Sequence, residues 1–259
     1  MKHKKVGIIV NLQAGSAKKF DQVGESFFKI NAEIIIHKTS DFEALKTSLK
    51  ELSNENIDIL IIYGGDGTID AVLSYWINHV DDSHIPIIIP YPGGTMNMIC
   101  NDIGIHNTNQ VIRWCNSYFA NSDHTKLQKR FLLEIVSDTK KKNHFGFFVS
   151  VGFIVRLIHE YYSFKATKFG AFLVIIRGII ALIFPTKLGK YVFQMNNSLI
   201  QFDNNAPIEI EYLGILSSTI KKLVFNFNPF HISHKVDGKF PVYVYKHNKL
   251  NLIFGFLAL

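Results

Sequence analysis

The chain has 259 residues, 47% of them hydrophobic, and 28 Lys plus Arg against 21 Asp plus Glu give a formal net charge of +7. This length exceeds a usual single domain of roughly 100 to 150 residues, so two domains with full cores are expected. The basic excess favours anionic partners, but no helix-turn-helix, zinc-finger or RNA-binding signature accompanies it, and two cysteines, Cys100 and Cys115, make no disulfide framework.

In chain order, Val6 to Val10 reads as a strand, Ser16 to Phe28 as a helix and Ile34 to His37 as a second strand. Phe42 to Asn54 reads as a helix capped by Asp41 or Ser40. Ile57 to Tyr63 and Ile85 to Pro90 are short β-branched runs, as expected for parallel strands covered on both faces. Between them, Ile69 to Val80 reads as a helix with Thr68 as its N-cap candidate. Asn107 to Tyr118 is a further helix, and the turn residues of Ala120 to Thr125 mark a boundary between domains 1–122 and 123–259. Beyond it, Lys126 to Val136, His144 to Phe153, Tyr191 to Met195, Leu199 to Phe202 and Ile208 to Leu216 read as strands, with Asn196-Asn197 as a hairpin tip. Phe169 to Phe184 is apolar but only 16 residues long, carries Arg177 and ends at Pro185, whereas a membrane span needs about 20 apolar residues. MKHKK leads directly into the first strand, so no signal peptide is read and residence in the cytoplasm is expected.

Two glycine turns stand at strand ends: Gly64-Gly65-Asp66-Gly67-Thr68 and Pro92-Gly93-Gly94-Thr95-Met96-Asn97. Open α/β sheets bind ligands at the carboxyl ends of their strands, where backbone N–H groups and a helix N-terminus converge on anions. Glycine permits positive φ and removes the Cβ atoms that keep a polyphosphate off the backbone. Asp66 beside phosphates is explained by Mg²⁺ binding or by accepting a proton from an attacking hydroxyl, both roles in phosphoryl transfer. No HExxH, Cys-x-x-Cys or G-x-S-x-G pattern points to zinc or hydrolase chemistry.

At these residues the chain resembles the diacylglycerol kinase catalytic domain family, which includes sphingosine, ceramide and bacterial lipid kinases. Asn11 and Gly15 in VNLQAGS resemble its NPxSG loop, Gly64 to Thr68 its GGDGT, and Pro92 to Asn97 its P-x-GT-x-N turn. VSVGF at 149–153, KFGAFLVIIRGIIAL at 168–182, Tyr212-Leu213-Gly214 and Val236 to Phe240 are similar to its later landmarks. The resemblance implies an α/β nucleotide-binding domain, a parallel sheet with flanking helices, followed by a β-sandwich-like lipid-binding domain, with the site in the cleft between. It implies ATP at Asn11, Gly15, Thr39, Gly64, Gly65, Asp66, Gly67, Thr68, Gly94, Thr95 and Asn97, with Asp66 catalytic at the transferring phosphate. It further implies Mg²⁺ at Asp237 with carbonyls of His234 and Lys239, a lipid substrate, and transient contact with an anionic membrane surface.

Several residues depart from the family pattern. Leu12 and Ala14 replace the proline and serine of NPxSG, and Asp70-Ala71 stand in place of Asn-Glu. The family's later DGE motif is not met before Leu259, so a shortened second domain, loss of a candidate general base and self-association through an open sheet edge are expected. Three readings follow: an ATP-dependent kinase acting on a diacylglycerol- or sphingoid-like hydroxyl, a degenerate binder of nucleotide or lipid, and an NAD kinase, which shares GGDGT but lacks the PGGTMN pattern. A protein peripheral to the membrane fits the first.

Overall fold

A computed structural model of the chain describes residues 4–80, 85–121, 125–136, 143–163, 168–221, 223 and 238–246. It divides into two compact units, parted between Phe147 and Phe148. In the first unit β1 (Lys5–Asn11) is followed by a 3₁₀ turn (Ala17–Lys19), α1 (Phe20–Val23), a second 3₁₀ segment (Gly24–Lys29) and β2 (Glu33–Thr39). Then come α2 (Phe42–Asn54), β3 (Ile59–Gly64), α3 (Asp66–His79), β4 (Ile87–Pro92), α4 (Met98–Ile103) and α5 (Thr108–Phe119). A short hairpin, β5 (Leu133–Ile135) and β6 (His144–Gly146), completes it.

The first four strands make a parallel sheet in the order β2-β1-β3-β4. Strand order reverses between β1 and β3, which is where ligands enter open α/β sheets. The sheet is apolar on both faces because both are covered. Val6, Ile8, Val10, Ile59, Ile61, Tyr63 and Tyr91 form one core with Phe20, Phe27 and the α5 residues Val111, Ile112 and Cys115. On the strand carrying Gly7, a Cβ would come within 2.8 Å of Ile57 Cδ1 and 3.1 Å of Leu52, so the glycine admits these side chains to the sheet. The helices that cap themselves form where expected. Asp41 accepts a hydrogen bond from Ala44 N, and Asn107 with Gln110 forms a capping box at the start of α5.

Local departures from the sequence expectations have identifiable causes. The helix expected over 16–28 is broken into 3₁₀ and α turns around Gly24, whose missing Cβ leaves room for the Phe20 ring at 2.9 Å. Thr68 is not an N-cap: α3 begins at Asp66 with Gly65 as cap. Most of 126–136 is not strand, and Arg130 instead pairs with the buried Asp102 of α4 at 3.2 Å. The first unit also runs past the turn-rich segment near 122, because β6 lies on α3. Ser74 Oγ donates to Phe145 O (3.0 Å) and accepts from Phe145 N (2.8 Å), and Asn78 Nδ2 donates to Asn143 O.

In the second unit the elements are β7 (Phe148–Gly152), α6 (Phe153–Ser163), α7 (Lys168–Ile183), α8 (Lys187–Val192), β8 (Asn196–Ile200), β9 (Ile208–Tyr212), β10 (Gly214–Ser218) and β11 (Val242–Tyr245). They make an antiparallel sheet β11-β10-β7 and an antiparallel hairpin β8-β9. The strand expected to end at Phe153 stops at Gly152, whose φ of +79° turns the chain so that Phe153 N donates to Leu213 O and opens α6. Tyr191 is helical, not extended, since Thr186 caps α8 by accepting from Gly189 N. Asn196-Asn197 belongs to β8 and is not a hairpin tip. Arg156 fixes it there, donating to Val192 O, Gln194 O and Asn196 Oδ1, and the turn falls around Asp203 at φ +52°. Among the described residues no helix is long and apolar enough to cross a membrane.

The paired bonds of Ser74 predict that Ser74→Ala loosens the β5-β6 hairpin and lowers stability by about 1 to 3 kcal/mol, the cost of stranding a Phe145 backbone group. Hydrogen exchange at the Phe145 amide would rise in the variant while exchange in β1 and β3 stays slow.

Candidate active site

The carboxyl ends of β3 and β4 lie side by side, and the two glycine turns that leave them touch backbone to backbone. Gly93 N donates to Gly64 O at 2.9 Å. A Cβ on Gly93 would stand 2.8 Å from Gly64 N, and one on Gly94 would collide with Gly65 Cα. Among the described glycines positive φ occurs at 104, 152 and 238, so the expectation of left-handed backbone in the first turn is not met. Glycine is required there for close approach. Gly67 differs: a Cβ would meet nothing within 4 Å, so the first turn of α3 faces open space. No side-chain hydrogen bond from the N-cap closes that helix end. Its amide groups and dipole form a local anion-attracting surface.

The first loop closes on both turns. Asn11 Nδ2 donates to Thr68 Oγ1 at 2.8 Å, while Asn11 Oδ1 accepts from Gln13 N and shapes the loop. A Cβ on Gly15 would lie 3.3 Å from Thr95 Oγ1. Ser16, which the motif reading did not single out, ties the loop to the second turn: its N and Oγ both donate to Gly93 O, at 2.9 and 2.8 Å. Tyr63 OH donates to Ser16 O, and the Tyr63 ring stacks on Tyr91 with centroids 4.8 Å apart, making a floor beneath the turns. The sequence signal for Ser16 was its place directly after Gly15. Thr39 is buried and its hydroxyl donates to Val10 O, so it fastens β2 to β1 at the sheet's end. Asn97, at φ +51°, accepts from Gly94 N and donates to Gly94 O, locking its own turn.

Asp66 is held by the neighbouring helix. Its carboxylate accepts from Met98 N (3.1 Å) and Ile99 N (3.0 Å), joining the start of α3 to the start of α4. Burial raises its pKa, opposed by the backbone donors of Ile99 and Met98. One helical turn on, burial and the Asp66 charge push Asp70 up to about 7, against a backbone hydrogen bond from Phe147. One Asp70 oxygen, Oδ1, is buried without a hydrogen-bond partner, and a Cβ on Gly146 would sit 3.1 Å from Oδ2. Asp70 is thus clamped between α3 and β6. Burial likewise pushes Cys100 and Cys115 up to about 12, and both are free thiols.

Asp237 and His234 fall outside the described residues, while Lys239 lies within them. Among the described residues no cluster of His, Cys, Asp or Glu could hold a metal ion.

The switch-point sheet carries paired glycine turns at its strand ends, and residues 5–126 match the family model for the diacylglycerol kinase catalytic domain. Over residues 5–126 the chain is therefore similar to the diacylglycerol kinase catalytic domain, as its motifs imply. A Streptococcus pneumoniae protein named "Putative lipid kinase" is 28% identical over 174 residues, covering 64% of this chain and 53% of its own length. The chain thus spans about half the length of that relative. A diacylglycerol kinase structure from Bacillus anthracis str. Sterne aligns with all of this chain and 79% of its own at a TM-score of 0.60 and 16% identity. A second structure from that organism, titled "A putative diacylglycerol kinase", gives 0.64 and 17% over all of this chain and 80% of its own.

The raised pKa of Asp70 has a definite pH signature. The folded state holds this proton more tightly than the unfolded chain, so the stabilisation is full below the ordinary carboxylate pKa and is lost as pH rises through about 7. Asp70→Asn removes the charge, and its gain in stability over the wild type should grow between pH 4 and pH 8 by on the order of 3 kcal/mol. Urea unfolding across that range measures it.

Proposed function

We propose that the chain is an ATP-dependent lipid kinase that moves the γ-phosphoryl group of ATP to a hydroxyl of a diacylglycerol- or sphingoid-like lipid. The observation that carries this reading is the backbone contact of the two glycine turns beside the open N-terminal turn of α3. Polyphosphate fits there because no Cβ intervenes and the helix end offers N–H groups. Asn11, Gly15, Gly65 to Thr68 and Thr95 would surround it, with Gly64, Gly94 and Asn97 setting the turn geometry. In the reaction the lipid oxygen bonds to the γ-phosphorus, the bond to the ADP oxygen breaks, and the hydroxyl proton leaves to a base or water. Positioning and charge neutralisation supply most of the catalysis in such transfers.

Mg²⁺ binds through nucleotide phosphates and one or two carboxylates in such sites. Asp66 is the carboxylate of the turns, but as placed its oxygens accept from Met98 and Ile99. That observation favours a second reading, a nucleotide- or lipid-binding member without turnover. The family implies action at a membrane surface from the cytoplasm, by a protein peripheral to the bilayer.

Labelled γ-phosphate transfer from ATP to lipids in mixed micelles separates the two. The kinase reading expects incorporation that falls at least about 10²-fold in Asp66→Asn, whose amide keeps only one acceptor oxygen for α4. Folded protein that binds ATP without transferring phosphate supports the binder. Gly67→Val tests the seat of the phosphates directly. Its Cβ meets no heavy atom within 4 Å, so thermal stability should hold while ATP affinity drops about tenfold or more. Unchanged ATP affinity would place the phosphates elsewhere.

A further inference from the structure

Every polar atom of Ser16 is engaged, and its bonds join three elements. Its N and Oγ donate to Gly93 O at 2.9 and 2.8 Å, and its carbonyl accepts from Lys19 N at 2.9 Å and from Tyr63 OH at 3.0 Å. Ser16 thus stands between the loop after β1, the end of β3 and the turn after β4. The other end of that loop is fastened separately, by the bond from Asn11 Nδ2 to Thr68 Oγ1. Between the two fastenings Leu12, Gln13 and Gly15 are exposed.

Tyr63 is only 2% exposed, stacked on Tyr91 and meeting Phe20 edge to face with centroids 5.1 Å apart. A phenylalanine would fill that space as well, and a buried phenol is costly to place unless it bonds. Burial raises its pKa, so the hydroxyl keeps its proton and remains a donor. The stacked pair sends its two hydroxyls to different connections: Tyr91 OH meets Thr108 Oγ1 at 2.7 Å at the start of α5, and Tyr63 OH reaches Ser16. The Tyr63 ring also sets the height of the second turn, since a Cβ on Gly93 would stand 2.9 Å from Tyr63 Cδ1. One side chain therefore props the second turn from below and, through Ser16, holds the first loop to it.

We propose that Ser16 and the Tyr63 hydroxyl are positioning residues, which hold the Asn11–Gly15 loop against the second glycine turn in the conformation that receives nucleotide phosphates. Neither needs to touch the nucleotide. A loop that must be ordered on binding costs affinity, and one already fixed does not. This deepens the kinase reading and rests on it for the identity of the ligand, while the hold on the loop exists without any ligand.

The test is calorimetric titration of the full chain with ATP, well below its melting transition, together with hydrogen exchange over residues 12–17 of the free protein. Tyr63→Phe keeps the ring and loses the bond. It and Ser16→Ala should each raise the Kd for ATP about three- to tenfold, the worth of one hydrogen bond, and speed exchange of the loop. Ser16→Thr, which restores a hydroxyl, should bind within about twofold of wild type. Because both residues act on one loop, the double variant should weaken binding by less than the product of the single effects. Phe27→Leu removes a ring that packs on Tyr91 at 5.7 Å but makes none of these bonds, so it should lower the melting temperature and leave Kd and loop exchange as in wild type. Affinity that follows melting temperature across all the variants would mean core packing alone and overturns the proposal. So do Tyr63→Phe and Ser16→Ala variants that bind ATP as tightly as wild type. A wild type that binds no ATP sinks the kinase reading; loop exchange then decides the latch by itself, faster exchange in the two variants upholding it and unchanged exchange ending it.

Discussion

The contact on which the first unit's site depends is between two backbones. Gly64-Gly65 and Gly93-Gly94 lie against each other closely enough that a single methyl group at Gly94 would meet Gly65 Cα. Adjacent parallel strands normally separate where their connections begin, since the chains leave toward different helices. Here the hydrogen bond from Gly93 N to Gly64 O prolongs the pairing past the end of the sheet. The Asn11 loop can then bond to the first turn through Thr68 and to the second through Ser16. Three loops from three strands are gathered around one helix end by a handful of short hydrogen bonds.

Asp66 extends this arrangement to α4. A carboxylate in the first turn of one helix that accepts from the first amides of another satisfies donors that the second helix cannot satisfy internally. It also keeps negative charge close to two positive dipole ends. The carboxylate thus latches α3 to α4. Asp70 adds a second carboxyl behind the first, and burial together with the Asp66 charge makes its ionisation costly.

Much of the sheet was legible because β1, β3 and β4 are covered on both faces and so read as unbroken β-branched runs. α2 was legible from its cap Asp41, whose bond the structure contains, while α5 was read as starting at Asn107, which the structure makes its cap. What escaped was set by tertiary contacts or by brevity. α4 and α8 have six residues each, too few for a periodic pattern, and α8 carries Tyr191 and Val192, residues that favour strands. Asn196-Asn197 looks like a turn until Arg156, forty positions earlier, is found bonded to it. For the candidate site the glycines and Asn11 were visible as a motif. The partnership of Asp66 with α4 was not, because it joins residues over thirty apart through backbone amides that carry no sequence signature.

The two cysteines gain a meaning from where the fold puts them. Cys100 sits on α4, the helix latched by Asp66, while Cys115 sits on α5 within the sheet's core, and both are fully buried with raised pKa. A buried thiol whose pKa is raised is shielded from modification, so modification of each is expected to report the frequency with which its own helix lifts. The molecule therefore contains two internal clocks, one set by the mobility of the Asp66 latch and one by the opening of the sheet's core. Their difference in rate separates breathing at the glycine turns from unfolding of the domain as a whole.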